Sequence, residues 1–138
     1  MLSPSSSNKR QFRCFQVNLR HSRVASASLA EVIIENSLDV ILIQEPFAIG
    51  HLSPDITNIP PGYSEGFHCL SHEHAFEAAV LVKNTLAKSF RAVNRSCSNH
   101  IATVDLLTPI GTYRFISVYF RPSVTKISFQ FNSNQFSN

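Results

Sequence analysis

Two polar side chains lie where metal-assisted chemistry could take place. Asn18 follows a β-prone segment at 12–17, and Glu45 follows the apolar run at 40–44. If both segments are parallel strands, these side chains emerge at the same edge of a sheet, which is where α/β folds usually bind ligands. A carboxylate beside an amide suits Mg²⁺, which keeps several waters and needs only one or two carboxylates plus substrate phosphate. The alternative is that Asn18 is a turn residue and Glu45 a solvated strand end.

Other chemically capable side chains give weaker indications. His72 and His74, close to His68 and Glu73, could form a metal cluster, although such a stretch is more typical of a solvated turn. Cys14 falls within the first predicted strand, where a cysteine is usually a small core residue rather than a nucleophile. The three cysteines are widely spaced and form no C-x-x-C pair, so neither a disulfide framework nor a zinc site is indicated.

Positive charge is concentrated near the start of the chain. The basic side chains there are Lys9, Arg10, Arg13, Arg20 and Arg23. The net charge of +3 and a pI near 9.0 suit a nucleic-acid partner but do not demand one. A helix beginning near Ser22 would also favour anions, so phosphate contact and a solvated basic face both remain open.

The elements that must position Asn18 and Glu45 form a strand–helix–strand unit. A helical period within residues 22–36 joins the two predicted strands. Pro46 ends the second strand because proline cannot donate to the ladder. Strand, helix and strand within about 35 residues predict a parallel pair with a right-handed crossover.

The remainder of the chain is predicted to be rich in strands. A long loop is expected at 50–62, and residues 108–111 form the turn of a hairpin. The predicted strands lie near 11–17, 39–44, 63–70, 77–83, 90–93, 101–107 and 112–120.

Length and composition indicate one globular domain. The chain has 138 residues, of which 43% are hydrophobic and 15% charged, so global disorder is excluded. The apolar runs are too short to span a bilayer and no secretory signal is visible, so we expect an intracellular protein, nuclear or cytoplasmic, with no membrane partner. We expect a disordered leader at 1–10, the domain at 11–123 and an irregular tail at 124–138.

Five segments in order carry a family resemblance. They are N-L-R-H-S-R-V-A at 18–25, D-V-I-L-I-Q-E-P-F at 39–47, I-P-P-G-Y at 59–63, A-A-V-L-V at 78–82 and S-V-Y-F-R-P-S at 117–123. The asparagine after the first strand and the Gln-Glu pair after the second resemble the endonuclease/exonuclease/phosphatase superfamily. The full set is similar to the endonuclease of arthropod LINE-type (non-LTR) retrotransposons of the jockey and R-element kind, a reverse-transcriptase-associated nuclease.

The resemblance implies Mg²⁺-dependent hydrolysis of a DNA phosphodiester. By that resemblance, Glu45 binds the catalytic metal, Asn18 supports the metal site and Tyr119 lies near the scissile phosphate. Two residues separate Tyr119 from Pro122 here, whereas the family pattern Y-x-P has one.

Two motifs of the family's second half, G-D-F-N and S-D-H, do not occur in this sequence. They supply an aspartate, an asparagine and the base histidine with its aspartate. We therefore expect half of a four-layer α/β sandwich, truncated, with most of one sheet and one helix. The sheet face meant for the missing half would be exposed, which favours self-association through it.

Three functions fit these observations. The leading one is a truncated retrotransposon-type, Mg²⁺-dependent DNA endonuclease that is inactive as it stands. The alternative is a catalytically dead nucleic-acid-binding or interaction fragment. A phosphomonoester or phospholipid-headgroup substrate is a third, and the retroelement-like segments argue against it.

Overall fold

The predicted strand–helix–strand unit is present in the computed structural model, which describes residues 11–49, 55–64, 67–69 and 77–120. Strand β1 (Cys14–Asn18) pairs in parallel with β2 (Val40–Gln44), and helix α1 (Arg23–Asn36) connects them. The register places Asn18 opposite Gln44. The predicted parallel pair is therefore confirmed.

Helix α1 has a clear start and end. The Ser22 hydroxyl accepts a hydrogen bond from the Ala25 amide, which satisfies one of the unpaired N–H groups of the first turn. Ser37 adopts a left-handed conformation (φ 48°), and its N–H is directed to the carbonyls of the last turn. The helix buries Leu29 and Ile33 against one face of the sheet.

The first sheet is completed by β5 (Ala78–Val82), which pairs antiparallel with β2 to give the order β1-β2-β5. All five residues of β5 are buried. A continuous apolar run of this kind is expected where a strand is covered on both faces.

A second sheet follows, with the order β6-β7-β8 and antiparallel pairing throughout. Its strands are β6 (Arg91–Asn94), β7 (Ile101–Thr108) and β8 (Gly111–Val118). The hairpin predicted between the last two strands is confirmed, and β8 lies slightly earlier than the expected 112–120. Gly111 has a φ of 146°, a conformation open to glycine and rarely adopted by other residues.

The two sheets pack face to face, which corrects the expectation of an open inner face. Val40 and Val80 from the first sheet share a buried cluster with Val104 and Leu106 from the second. The opposite face of the first sheet carries Ile41, which packs in the cluster beneath α1. The chain's own later strands cover the inner face.

Several short elements were not predicted. Helix α2 (Asn84–Ser89) follows β5, and β3 (Ala48–Ile49) pairs with β4 (Asp55–Ile56) around the expected loop. Within the described part of 63–70, the expected strand is reduced to single bridges of Tyr63 with Lys83 and of Phe67 with Val80.

Some predictions fall on residues that the structure does not describe. These are the leader at 1–10, the tail at 124–138 and the histidines at 72 and 74. No helix in the described ranges is long and apolar enough to cross a membrane.

The outer face of the second sheet is organised around a buried carboxylate. Asp105, 3% exposed, accepts two hydrogen bonds from the Arg114 guanidinium (2.7 and 2.9 Å), and Arg95 lies 3.4 Å away. These hydrogen bonds and charges lower the pKa of Asp105 despite its burial. The ionised form is therefore favoured in the folded chain.

Replacing Asp105 by asparagine is expected to lower the free energy of unfolding at pH 7 by about 1–3 kcal/mol, because charge-assisted hydrogen bonds are lost. A lowered carboxyl pKa stabilises the fold above the unfolded value of about 3.9, and this contribution disappears as pH falls through the folded value. The free energies of urea unfolding of wild type and Asp105→Asn should therefore differ fully above about pH 4 and converge only as pH falls further, through the folded pKa of Asp105. The exposed Glu31→Gln is the control and should change little. A difference between wild type and Asp105→Asn that does not depend on pH would contradict this explanation.

Candidate functional site

The site lies where β1 and β2 leave the sheet. Because the strands are parallel, Asn18 and Glu45 emerge at the same edge, as the sequence predicted. Two further backbone hydrogen bonds extend the contact beyond the strands. The Leu19 amide donates to the Gln44 carbonyl and the His21 amide donates to the Glu45 carbonyl, both at 2.9 Å.

The side chains of Asn18 and Glu45 are in direct contact. Asn18 Nδ2 donates to Glu45 Oε1 at 3.1 Å, while Asn18 Oδ1 accepts from the Arg20 amide at 2.8 Å. Chemistry determines this orientation, since the carboxylate can only accept and the backbone N–H can only donate. The Asn18 side chain thus accepts a hydrogen bond from the Arg20 amide through its oxygen and donates one to the Glu45 carboxylate through its amino group.

The backbone around these side chains is unusual. Glu45 (φ 48°), Arg20 (φ 51°) and His21 (φ 54°) are all left-handed non-glycine residues. Glu45 also precedes Pro46, a position that normally favours extended backbone. Such conformations cost about 1–3 kcal/mol each and persist only where the surroundings impose them. Here the Glu45 amide donates to the Glu77 carbonyl (2.8 Å), which anchors the residue from the neighbouring strand.

His21 is a member of the site that sequence reasoning missed. Its Nε2 lies 3.3 Å from Glu45 Oε2, and its Nδ1 lies 3.0 Å from the Pro46 carbonyl oxygen. The residue was visible in the N-L-R-H segment, but its approach to Glu45 depends on the left-handed turn, which no sequence pattern indicated.

Tyr119 lies just beyond the end of β8 in the second sheet. Its amide donates to the His100 carbonyl at 2.9 Å, one step beyond the end of β8. Two residues earlier, the Ser117 hydroxyl donates to the Ile43 carbonyl at 2.6 Å, which joins β8 to the end of β2. The proximity of Tyr119 to the reacting phosphate stays a prediction from the family resemblance.

A second carboxylate–imidazole pair adjoins the site through the backbone. Glu77 is 8% exposed, and its Oε2 lies 3.4 Å from His100 Nδ1. The Glu77 amide donates to Asn99 and its carbonyl accepts from Glu45. Neither Glu77 nor His100 lies in a recognisable motif, so no local sequence pattern indicated that they would meet.

Lys9 and Arg10 of the expected basic cluster lie outside the described residues, and its three described arginines divide between the two ends of α1. Arg20 and Arg23 flank the start of the helix beside the site. Arg13 donates to the carbonyl of Asn36 at the far end of the helix, and its amide donates to Asp39. Arg13 is therefore remote from Glu45.

Cys14 does not lie in the core as expected. It is exposed, because β1 is an edge strand of the first sheet. Partial burial, and to a lesser extent the charge of Asp39, raise the pKa of the Cys14 thiol. A raised pKa disfavours the thiolate, so the residue is not an activated nucleophile.

The donors present suit a weakly held hard cation. Glu45 offers a carboxylate that is partly exposed, with 19% of its side-chain surface accessible. Among the described residues, no three His, Cys, Asp or Glu side chains form a group that could hold a metal ion. This donor set fits Mg²⁺ with most of its water retained and phosphate oxygens completing the shell, and it does not fit a closed protein cage.

Comparison with solved structures found a likeness in fold. Neither a scan against protein-family models nor a search of curated proteins gave a match. Among solved structures, the chain is similar to the endonuclease domain of TRAS1, a telomere-specific non-LTR retrotransposon, with 22% sequence identity and a TM-score of 0.62. The match covers 80% of this chain and 46% of that chain, so this chain spans about half of the neighbour's length. The resemblance to retrotransposon endonuclease domains is thereby confirmed at the level of the fold.

Proposed function

We propose that this chain carries the metal-binding part of a phosphodiester-cleaving site and that its substrate class is DNA. The observation that supports this most strongly is the Asn18–Glu45 hydrogen bond at the carboxyl-terminal edge of a parallel strand pair. The likeness in fold to a retrotransposon endonuclease domain supports the choice of a nucleic-acid substrate.

The residues have distinct roles in this proposal. Glu45 binds Mg²⁺, and Asn18 holds the carboxylate through its amino group. When bound, Mg²⁺ supplies positive charge that stabilises the phosphodiester oxygens as negative charge develops on them. The Oδ1 of Asn18 accepts a hydrogen bond from the Arg20 amide, so it is not available as a metal ligand. We therefore propose that Asn18 positions Glu45 and does not itself bind the ion.

Contacts to the DNA backbone are proposed for Arg20 and Arg23. Both lie at the start of α1, next to Glu45, where cationic side chains and unpaired helix N–H groups favour phosphate. Such contacts are insensitive to base sequence and weaken with salt. Tyr119 is retained as a residue near the scissile phosphate, on the strength of the resemblance alone.

The chain as it stands is proposed to bind without cleaving. The sequence contains neither the G-D-F-N nor the S-D-H motif, and the described residues provide no second carboxylate in a metal-holding group at Glu45. Loss of a general base alone typically removes about 10²–10⁴-fold of the rate. The same absence of motifs favours a second candidate function, a nucleic-acid-binding or interaction fragment that has no catalytic role.

We expect no nicking of supercoiled plasmid by the purified 138-residue chain in millimolar Mg²⁺. The physical reason is that Glu45 binds the ion weakly, and the sequence lacks the G-D-F-N and S-D-H motifs that would orient and deprotonate the attacking water. Agarose-gel conversion to the open-circular form measures this. Nicking by wild type that disappears in Glu45→Gln would show that the described residues already assemble a working site.

Cation binding at Glu45 is tested separately with Mn²⁺, whose free ion is counted by electron paramagnetic resonance. We expect one weak, saturable site in the wild type and a loss of affinity of about tenfold or more in Glu45→Gln, because a carboxamide is a far poorer ligand for a hard cation. Glu31→Gln removes an exposed carboxylate from α1 and should leave the site intact. Equal affinity in all three proteins would refute the proposed metal site.

A further inference from the structure

We propose that the chain's own segment 127–131 docks as an added antiparallel strand on the free edge of β1, the edge that does not face β2. Its apolar side chains fill a groove between β1 and α1. The inference does not depend on the proposed function, because neither the groove nor the segment includes Glu45.

The first observation is the unpaired edge itself. β1 is the outermost strand of its sheet, and no strand in the described ranges pairs with its far side. Arg13 and Leu19 each form a backbone hydrogen bond with β2. Alternate residues of a parallel strand bond with the same neighbour, so the backbone N–H and C=O groups of Cys14 and Gln16 point to the free edge. Such groups are a template for pairing with another extended segment.

The second observation is an apolar groove along that edge, between β1 and α1. It consists of two hollows of about 480 and 210 Å³, and Phe15 and Val32 line both of them. Phe15 is 37% exposed although it is a large apolar side chain. Further lining residues include Val17, Leu29 and Leu38. A strand that pairs with β1 places every second side chain in this groove, because side chains alternate between the two faces of a sheet.

The third observation is the sequence that follows β8. Residues 127–131 read I-S-F-Q-F, in which apolar and polar residues alternate strictly. This alternation is typical of a strand with one buried face, although the composition of the whole tail indicates irregular structure. The segment lies beyond Phe120, where the described ranges end. Its three apolar side chains match the groove, and its two polar ones match the exposed Gln16 on the other face of β1.

The fourth observation is where β8 ends. Phe12, just before β1, packs against Phe115 of β8 with ring centroids 5.7 Å apart. Further along β8, Ser117 bonds to Ile43, near the end of β2, which is parallel to β1. β8 therefore runs in the same direction as β1 and ends near the carboxyl-terminal end of β1. Residues 121–126 span up to about 20 Å when extended, and stacked sheets lie about 10 Å apart, so the segment can reach β1 and return along it antiparallel.

The experiment measures amide hydrogen exchange at Cys14 and Gln16 in the full chain by NMR. A docked strand slows exchange at both amides, because they point to the free edge. We expect Phe129→Asp to speed this exchange by about tenfold or more, since a carboxylate loses hydration in an apolar groove. The matched control is Gln130→Asp, which adds the same charge on the opposite face of the segment and should leave both rates within about twofold of wild type.

The outcomes decide between the possible occupants of the edge. Slow exchange that Phe129→Asp removes and Gln130→Asp keeps supports docking of the segment, as do nuclear Overhauser contacts between the Phe129 ring and Val32. Exchange that is fast in wild type, or equally slow in all three proteins, overturns it. Slow exchange that is lost on dilution assigns the edge to a second copy of the chain and likewise overturns it. Should Phe129→Asp not fold, Phe129→Ser takes its place in the same comparison.

Discussion

The parallel pairing of β1 with β2 is the interaction on which the candidate site depends. It aligns Asn18 with Gln44. The Oε1 of the next residue, Glu45, then accepts a hydrogen bond from Asn18 Nδ2 at 3.1 Å. A parallel pair needs a crossover, and α1 supplies it while covering one face of the sheet with Leu29 and Ile33. An antiparallel pair would send the same two side chains to opposite edges.

Contacts with the second sheet also hold the carboxyl-terminal end of β2, where the site lies. The Ser117 hydroxyl, fully buried, donates to the Ile43 carbonyl and accepts a hydrogen bond from Gln44 Nε2 at 3.4 Å. These polar contacts sit at the margin of an apolar interface built from residues such as Val80 and Val104. The end of β2 is thus held from both neighbouring strands and from the second sheet, which allows Glu45 to keep a left-handed conformation before a proline.

Local sequence patterns predicted the elements better than their assembly. The apolar run at β2, the capped period of α1 and the turn before Gly111 each carry a short-range signal, so strands, helix and hairpin were located. Which sheet a strand joins depends on contacts distant in sequence. For that reason the sequence analysis did not predict that the later strands form a second sheet, or that this sheet covers the inner face of the first. The exposure of Cys14 follows from the edge position of β1, which is likewise a property of the assembly.

The same distinction applies to the site. Asn18 and Glu45 were predicted to be neighbours because parallel strands bring their ends together, whereas His21 reaches Glu45 only through backbone that ordinary propensities disfavour. The most direct test of the account is the anomalous scattering of a crystal of the chain soaked in Mn²⁺. The account predicts a peak within metal-ligand distance of a Glu45 carboxylate oxygen, with Asn18 Nδ2 still bonded to that carboxylate. A Glu45 carboxylate without a peak, or parted from Asn18, while Mn²⁺ binds elsewhere on the chain would contradict it.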